Sequence, residues 1–344
     1  MGRRIRQNCG KKVPIEEPLE FETDDKKRKK TKIKKLCIVA TAIFAVGITL
    51  AVLVETVFYP GCITQGNRYS FSRKTLKSYG GSASEFVIPD GVTGIDNWAF
   101  LNCDKLTTII IPDTVTSIGT EAFSGCGSLT SVVIGNGVTS IGSNAFFGCN
   151  SLMNVVIPDS VTTIDARAFA NCSNLTSVVI GNGVRTIGDY AFAYCGNLTR
   201  INIGNKVMRI GANAFYECSS LSSVEIPDGV SIIDSCAFGK CYNLTRVTIG
   251  NSVTSIGVRV FEYCLKLTSI ILPDSVRNIG RNAFHFVDLM NVYYEGSQSD
   301  WENVFILPSN TDFTDENLYY YSENQPTEAG NYWHYDKNGN IVVW

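Results

Sequence analysis

The stretch IPDTVTSIGTEAFSGCGSL, from Ile111 to Leu129, decides the fold, because it returns along the chain every 23 residues with small changes. Phenylalanine marks the period at Phe100, Phe123, Phe146, Phe169, Phe192, Phe215, Phe238, Phe261 and Phe284. A cysteine follows three residues after each of the first eight, from Cys103 to Cys264, and a leucine three residues after that, from Leu106 to Leu267. A valine column runs from Val92 to Val276 and an isoleucine column from Ile95 to Ile279, both without a slip. One coil of this size cannot close a core alone. In-register copies stacked on one another can, which makes the architecture a solenoid.

The spacing within one unit predicts the path of the coil. Leu106, Ile109 and Ile111 place apolar anchors at i, i+3 and i+5, and Ile109 and Ile111 share one face of a strand. Pro112-Asp113, or Gly135-Asn136 in the next unit, ends the strand with turn chemistry. Gly119 reads as a flexible corner, replaced by aspartate at Asp96, Asp165 and Asp234. Ala122, Phe123 and Cys126 have helical spacing and predict a short helix or 3-10 turn. The expected fold class is an α/β-type repeat solenoid, each coil holding one short parallel strand and one short helical turn.

These strings resemble the BspA-type leucine-rich repeat family over about residues 84–294. The likeness includes the lack of an asparagine column after the strand. The resemblance implies surface proteins of bacteria and some protists, associated with adhesion and with host or matrix binding. It implies no enzymatic activity.

The chain has 344 residues, of which 44% are apolar and 18% charged, so a packed core is available and global disorder is excluded. Lysine plus arginine number 30 against 32 aspartate plus glutamate, but the charges are segregated. Residues 1–35 carry a net +7, residues 36–287 are balanced, and residues 288–344 carry a net −9. This distribution does not describe a nucleic-acid binder. Two histidines, His285 and His334, all but exclude a multi-histidine metal site. No cofactor is expected.

Leu36 to Val54 is an uncharged run of 19 residues preceded by the basic segment Lys26 to Lys35. Its length nearly spans a bilayer core, and the positive-inside rule then puts the N-terminus in the cytoplasm and the repeats outside. A cleaved signal peptide competes, but the basic leader is long and the cleavage site poor. The expected organisation is a basic cytoplasmic tail over 1–35, a transmembrane helix over 36–58 and a lead-in over 59–83. The solenoid follows over 84–294 and an acidic, aromatic cap over 295–344. The expected localisation is a single-pass cell-membrane protein, with lipid contact through residues 26–58.

The cysteine column reads as buried free thiols acting as small hydrophobes, since a 23-residue period supplies no close metal-binding pairs. Cys236 lies off the column as a candidate exposed thiol. At the ends, Glu85–Ile88 reads as a starting strand and Leu289–Tyr294 as the strand pattern with one residue deleted. Gln298–Phe305 reads as a capping helix, and Tyr332–Trp344 around Asn338-Gly339 as a hairpin. Asp336, Asn338 and Asn340 begin like a calcium loop, but Ile341 stands where the loop needs glycine, and that reading is rejected. One aromatic string in the tail resembles a single cell-wall-binding repeat, which more often closes a core.

Candidate binding residues are those pointing outward from the strands. One column is Ile110, Val133, Val156, Val179, Asn202, Glu225, Thr248 and Ile271. Its neighbour runs from Thr108 through Ser131, Asn154, Ser177, Arg200, Ser223 and Arg246 to Ser269. The first half is an apolar ridge beside hydroxyls, and the second half is polar with two arginines. Such a surface suits an extracellular protein or glycan ligand. β-branched residues also simply suit exposed strands, and the pattern alone does not separate the two. A scaffold within the cell's own envelope is the alternative function. No nucleophile–base set, phosphate loop or metal cluster stands out, so an enzyme is not expected.

Overall fold

The computed structural model describes residues 63–64, 67–72, 74–310, 313–314, 316–327 and 329–344. They belong to two compact units, one within 63–321 and one containing 322–344. The first is a β-solenoid of about 11 turns. Each coil gives one strand of three or four residues, a Pro-Asp or Gly-Asn turn, a two-residue strand, and a run of tight turns.

Alternation along the longer strands sorts the side chains. In Thr108–Ile110, Ile109 is buried while Thr108 and Ile110 are half-buried, and Ile111 follows into the core. Neighbouring coils pair in parallel at a shift of 23 residues, as in Ile110 with Val133 and Val156 with Val179. The two-residue strands form a second, continuous sheet, with Ile118 opposite Ile141 and Ile164 opposite Ile187. That sheet starts from an antiparallel hairpin, Asn67–Ser72 with Thr75–Tyr79, whose second strand pairs with Gly94–Ile95.

The third side of the coil is not the predicted helical turn. Two residues per coil, such as Asn144 and Gly148 or Arg167 and Asn171, take left-handed φ values between 54° and 72°. A left-handed residue every fourth position ends any helix before it makes a full turn. Backbone bonds instead alternate in direction. The N–H groups of Glu121, Phe123 and Gly125 donate across to Ser143, Ala145 and Phe147 of the following coil, at 2.7 to 2.9 Å. The N–H groups of Ala122, Ser124 and Cys126 donate back within the coil to Gly119, Glu121 and Phe123, at 3.2 to 3.3 Å. Tandem turns laced to their neighbours satisfy the backbone where a short helix would leave its ends open.

Gly119 is also not a flexible corner, since its φ is not left-handed. A Cβ there would sit 2.6 Å from the Asn97 nitrogen, so the glycine serves close approach of the preceding coil.

The core is a set of columns. The nine phenylalanines from Phe100 to Phe284 are fully buried and stack with centroid separations of 4.7 to 5.7 Å. Beside them the cysteines are free, and those from Cys126 to Cys264 on the column are buried. Each such thiol donates to a phenylalanine carbonyl. Cys149 Sγ reaches the Phe123 oxygen at 3.2 Å, where the Cys126 N–H also arrives at 3.2 Å. The column is therefore a line of small apolar groups that also donate weakly, as the sequence predicts. Burial of the large side chains stabilises each coil by about 1.5–3 kcal/mol apiece.

The predicted end strands and hairpin are present, but the capping helix predicted over Gln298–Phe305 stops at Trp301, and Phe305–Ile306 is a strand paired with Asn278–Ile279. Glu85–Val87 pairs with Thr108–Ile110, and Asn291–Tyr294 pairs with Ser269–Leu272 at a shift of 22, one residue short of the period. Gln298–Trp301 is a short helix with a reciprocal cap: Ser297 Oγ accepts from the Asp300 N–H, and the Asp300 carboxylate accepts from the Ser297 N–H. Trp301 packs edge-on against Tyr294 and Phe313, and Phe313 packs edge-on against Phe284, closing the phenylalanine stack. In the second unit, Tyr332–Tyr335 and Ile341–Val343 form the antiparallel hairpin, and Asp336 accepts from the Asn338 and Asn340 N–H groups across its turn.

The membrane assignment is corrected. Among the described residues no helix is long and apolar enough to cross a membrane. The basic segment 1–35 and the hydrophobic segment 36–58 lie outside the described residues. The single-pass localisation, with a cytoplasmic N-terminus and extracellular repeats, therefore has no spanning helix among the described residues to rest on.

Candidate ligand-binding face

The outward residues of the longer strands are set by the pleat and by the constant register. The Cα partners are Ile110 with Val133, Val156 with Val179, Val179 with Asn202, Glu225 with Thr248, and Ile271 with Tyr293. The predicted column is thus one row across successive coils. The neighbouring row is equally regular, with Ser177 opposite Arg200 and Ser223 opposite Arg246. Its hydroxyl half is internally bonded: Ser177 Oγ donates to Asn154 Oδ1 at 2.6 Å.

The face is not one uninterrupted ladder. Backbone pairing runs in separate groups, and strand pairing lapses between Ser131–Val133 and Asn154–Ile157, again between Arg200–Asn202 and Ser223–Glu225, and a third time between Arg246–Thr248 and Ser269–Leu272. Ile110 and Val133 belong to the first group. Val156, Val179, Arg200 and Asn202 belong to the second, and Glu225 and Arg246 to the third. At the second lapse the strands part around a shallow cleft of about 320 Å³, lined by Asn182, Ile201, Asn202, Asn205 and Glu225 among others. Ile201 is only half-buried there, while its counterparts Val178 and Val224 are buried. Nothing in the sequence announces this opening, because Ile201 keeps the core residue type.

Two extensions of the face were missed by sequence reasoning. Val87, 53% exposed, pairs with Ile110 and adds a rung at the N-terminal end. At the other end Tyr293 pairs with Tyr319, their rings 5.3 Å apart. Val87 sits at the expected period and could have been found. Tyr293 could have been found from the strand pattern over Leu289–Tyr294, but Tyr319 could not, because the inserted helix breaks the count.

The face is therefore tripartite: apolar from Val87 to Val179, polar from Asn202 to Thr248, and aromatic beyond Ile271. Arg200, Glu225 and Arg246 bring charge of both signs to the middle. The arrangement offers flat contact and hydrogen bonding.

The family model described as the BspA type leucine rich repeat region, in six copies, matches residues 67–199 and 185–305. The chain belongs to the BspA-type leucine-rich repeat family. Among solved structures it is similar to a leucine-rich repeat protein from Bacteroides ovatus, with 26% identity and a TM-score of 0.61 over 75% of this chain and 70% of that one. It is also similar to a leucine rich cell surface protein from Faecalibacterium prausnitzii, with 24% identity, a TM-score of 0.42 and coverage of 72% and 98%. A T. pallidum leucine rich repeat protein shows 28% identity, a TM-score of 0.45 and coverage of 60% and 90%. No curated protein matches. BspA-type repeats are typically binding scaffolds, and nothing in these likenesses indicates catalysis.

Proposed function

We propose that this BspA-type protein is a non-catalytic surface adhesin that holds a protein ligand on its longer-strand face. The observation that carries the reading is the outward row from Val87 to Val179, paired in register except at the step from Val133 to Val156, with Val87 and Val156 well exposed at 53% and 44%. Exposed apolar strips rimmed by polar groups mark interaction surfaces. The apolar rungs would form the dry centre of the contact, and Arg200, Glu225 and Arg246 its polar flank.

The test is binding of the full chain to an array of extracellular-matrix proteins and purified envelope fragments. Capture by a matrix protein supports the reading. Capture by envelope fragments alone moves the chain to a structural role in its own cell's envelope.

A further inference from the structure

The side of the solenoid built from tandem turns carries residues that its backbone disfavours. The second left-handed position of each coil holds Asn102, Gly125, Gly148 and Asn171 in four successive coils, the residue types that adopt this conformation most readily. The next five coils place Tyr194, Glu217, Lys240, Tyr263 and Phe286 there, at φ values from 57° to 62°. Bulky residues with positive φ are outliers, and such strain collects where a surface is used. At the other left-handed position Trp98, Glu121, Arg167, Tyr190, Cys236 and Arg259 are also neither asparagine nor glycine, but Asn144, Asn213 and Asn282 interrupt them, so no unbroken run of five forms there.

The strained residues build a platform. The Tyr263 and Phe286 rings stack at 4.5 Å and 16°, and Phe286 is 54% exposed. Tyr194, 41% exposed, meets Tyr216 edge-on at 5.7 Å. The charges among them are already matched: Lys240 pairs with Glu217 at 2.9 Å, and Glu262 lies 3.5 Å from Arg259 and 3.4 Å from His285. A charged ligand would have to break these pairs. An apolar protein anchor needs a pocket, and this side is a laddered ridge. The exposed rings of Tyr194 and Phe286, with tyrosine hydroxyls and paired charges beside them, suit a partner that is uncharged, with C–H groups on one face and hydroxyls around its rim. We propose that the ridge from Tyr194 to Phe286 is a second binding surface, for neutral hexose or pentose polymers.

The test is affinity electrophoresis of the full chain through gels containing dextran, mannan, xylan or hydroxyethylcellulose, with alginate as the charged comparison. The decisive variant is Tyr263→Asn with Phe286→Asn, which installs the residue that Asn102 and Asn171 already supply. It should keep or raise the thermal midpoint while weakening retardation by about tenfold or more. Val133→Asp with Val156→Asp, on the other face, should leave retardation unchanged, so this proposal and the adhesin reading fail separately. Absence of retardation by every neutral polymer overturns the proposal. So does retardation by alginate alone, or equal retardation of the folded double variant. Loss of a protein ligand by that variant, with no polysaccharide retarding the wild type, assigns the ridge to protein instead.

Discussion

Burial pushes the Cys149 thiol up to about 12, and it moves Cys172, Cys218 and Cys241 in the same direction. An unfolded thiol ionises near 8.5. Between that value and the folded one, the unfolded state has shed protons that the folded state retains. Stability from Cys149 is therefore complete below about pH 8.5 and is lost as the pH rises through about 12, and the other raised thiols act in the same direction. Urea midpoints should fall between about pH 7 and about pH 10, and Cys149→Ala should flatten the fall. Among the described cysteines, only the half-buried Cys103 and Cys236 should react readily with a thiol reagent in the native state, the buried column reacting after denaturation. A second residue-scale prediction concerns Gly137, where a Cβ would lie 1.8 Å from the Asp113 carbonyl oxygen. Gly137→Ala should cost about 2 kcal/mol in urea unfolding.

At the scale of the element, the coil depends on its phenylalanine. Phe169 is fully buried and stacked on both sides, at 5.0 Å from Phe146 and 5.3 Å from Phe192. Phe169→Ala should cost about 3–5 kcal/mol, measured as the change in unfolding free energy in urea. The column was legible in the sequence because the period never slips between Phe100 and Phe284. The tandem turns were not, since Ala122, Phe123 and Cys126 have the same spacing on a helix as on consecutive turns. What separates the two is the left-handed residue, and Glu121 or Arg167 carries no sign of it. The same blindness hides the Tyr194–Phe286 ridge, whose strain is a property of φ. The outward row from Ile110 to Glu225 was readable because strand alternation follows from Ile109 and Ile111. The lapses in pairing beside Val133 and Asn202 were not, because they reflect how whole coils sit.

The whole solenoid is quasi-one-dimensional: each coil touches its neighbours, and the ends need covers. Tyr79 stacks on Phe100 at one end, and Phe313 closes Phe284 at the other. The molecule presents long rows of side chains at nearly constant spacing, a geometry suited to extended partners. Substitutions on the outward row should change binding with little effect on folding, because Val133 and Val156 lie outside the buried core. The measurement that tests the central claim most directly is binding of the full chain to its captured protein ligand, compared with a Val133→Asp, Val156→Asp variant shown by thermal unfolding to be folded. Loss of affinity by about tenfold or more is the predicted result. Undiminished affinity in the folded variant would contradict the assignment of the ligand to the longer-strand face.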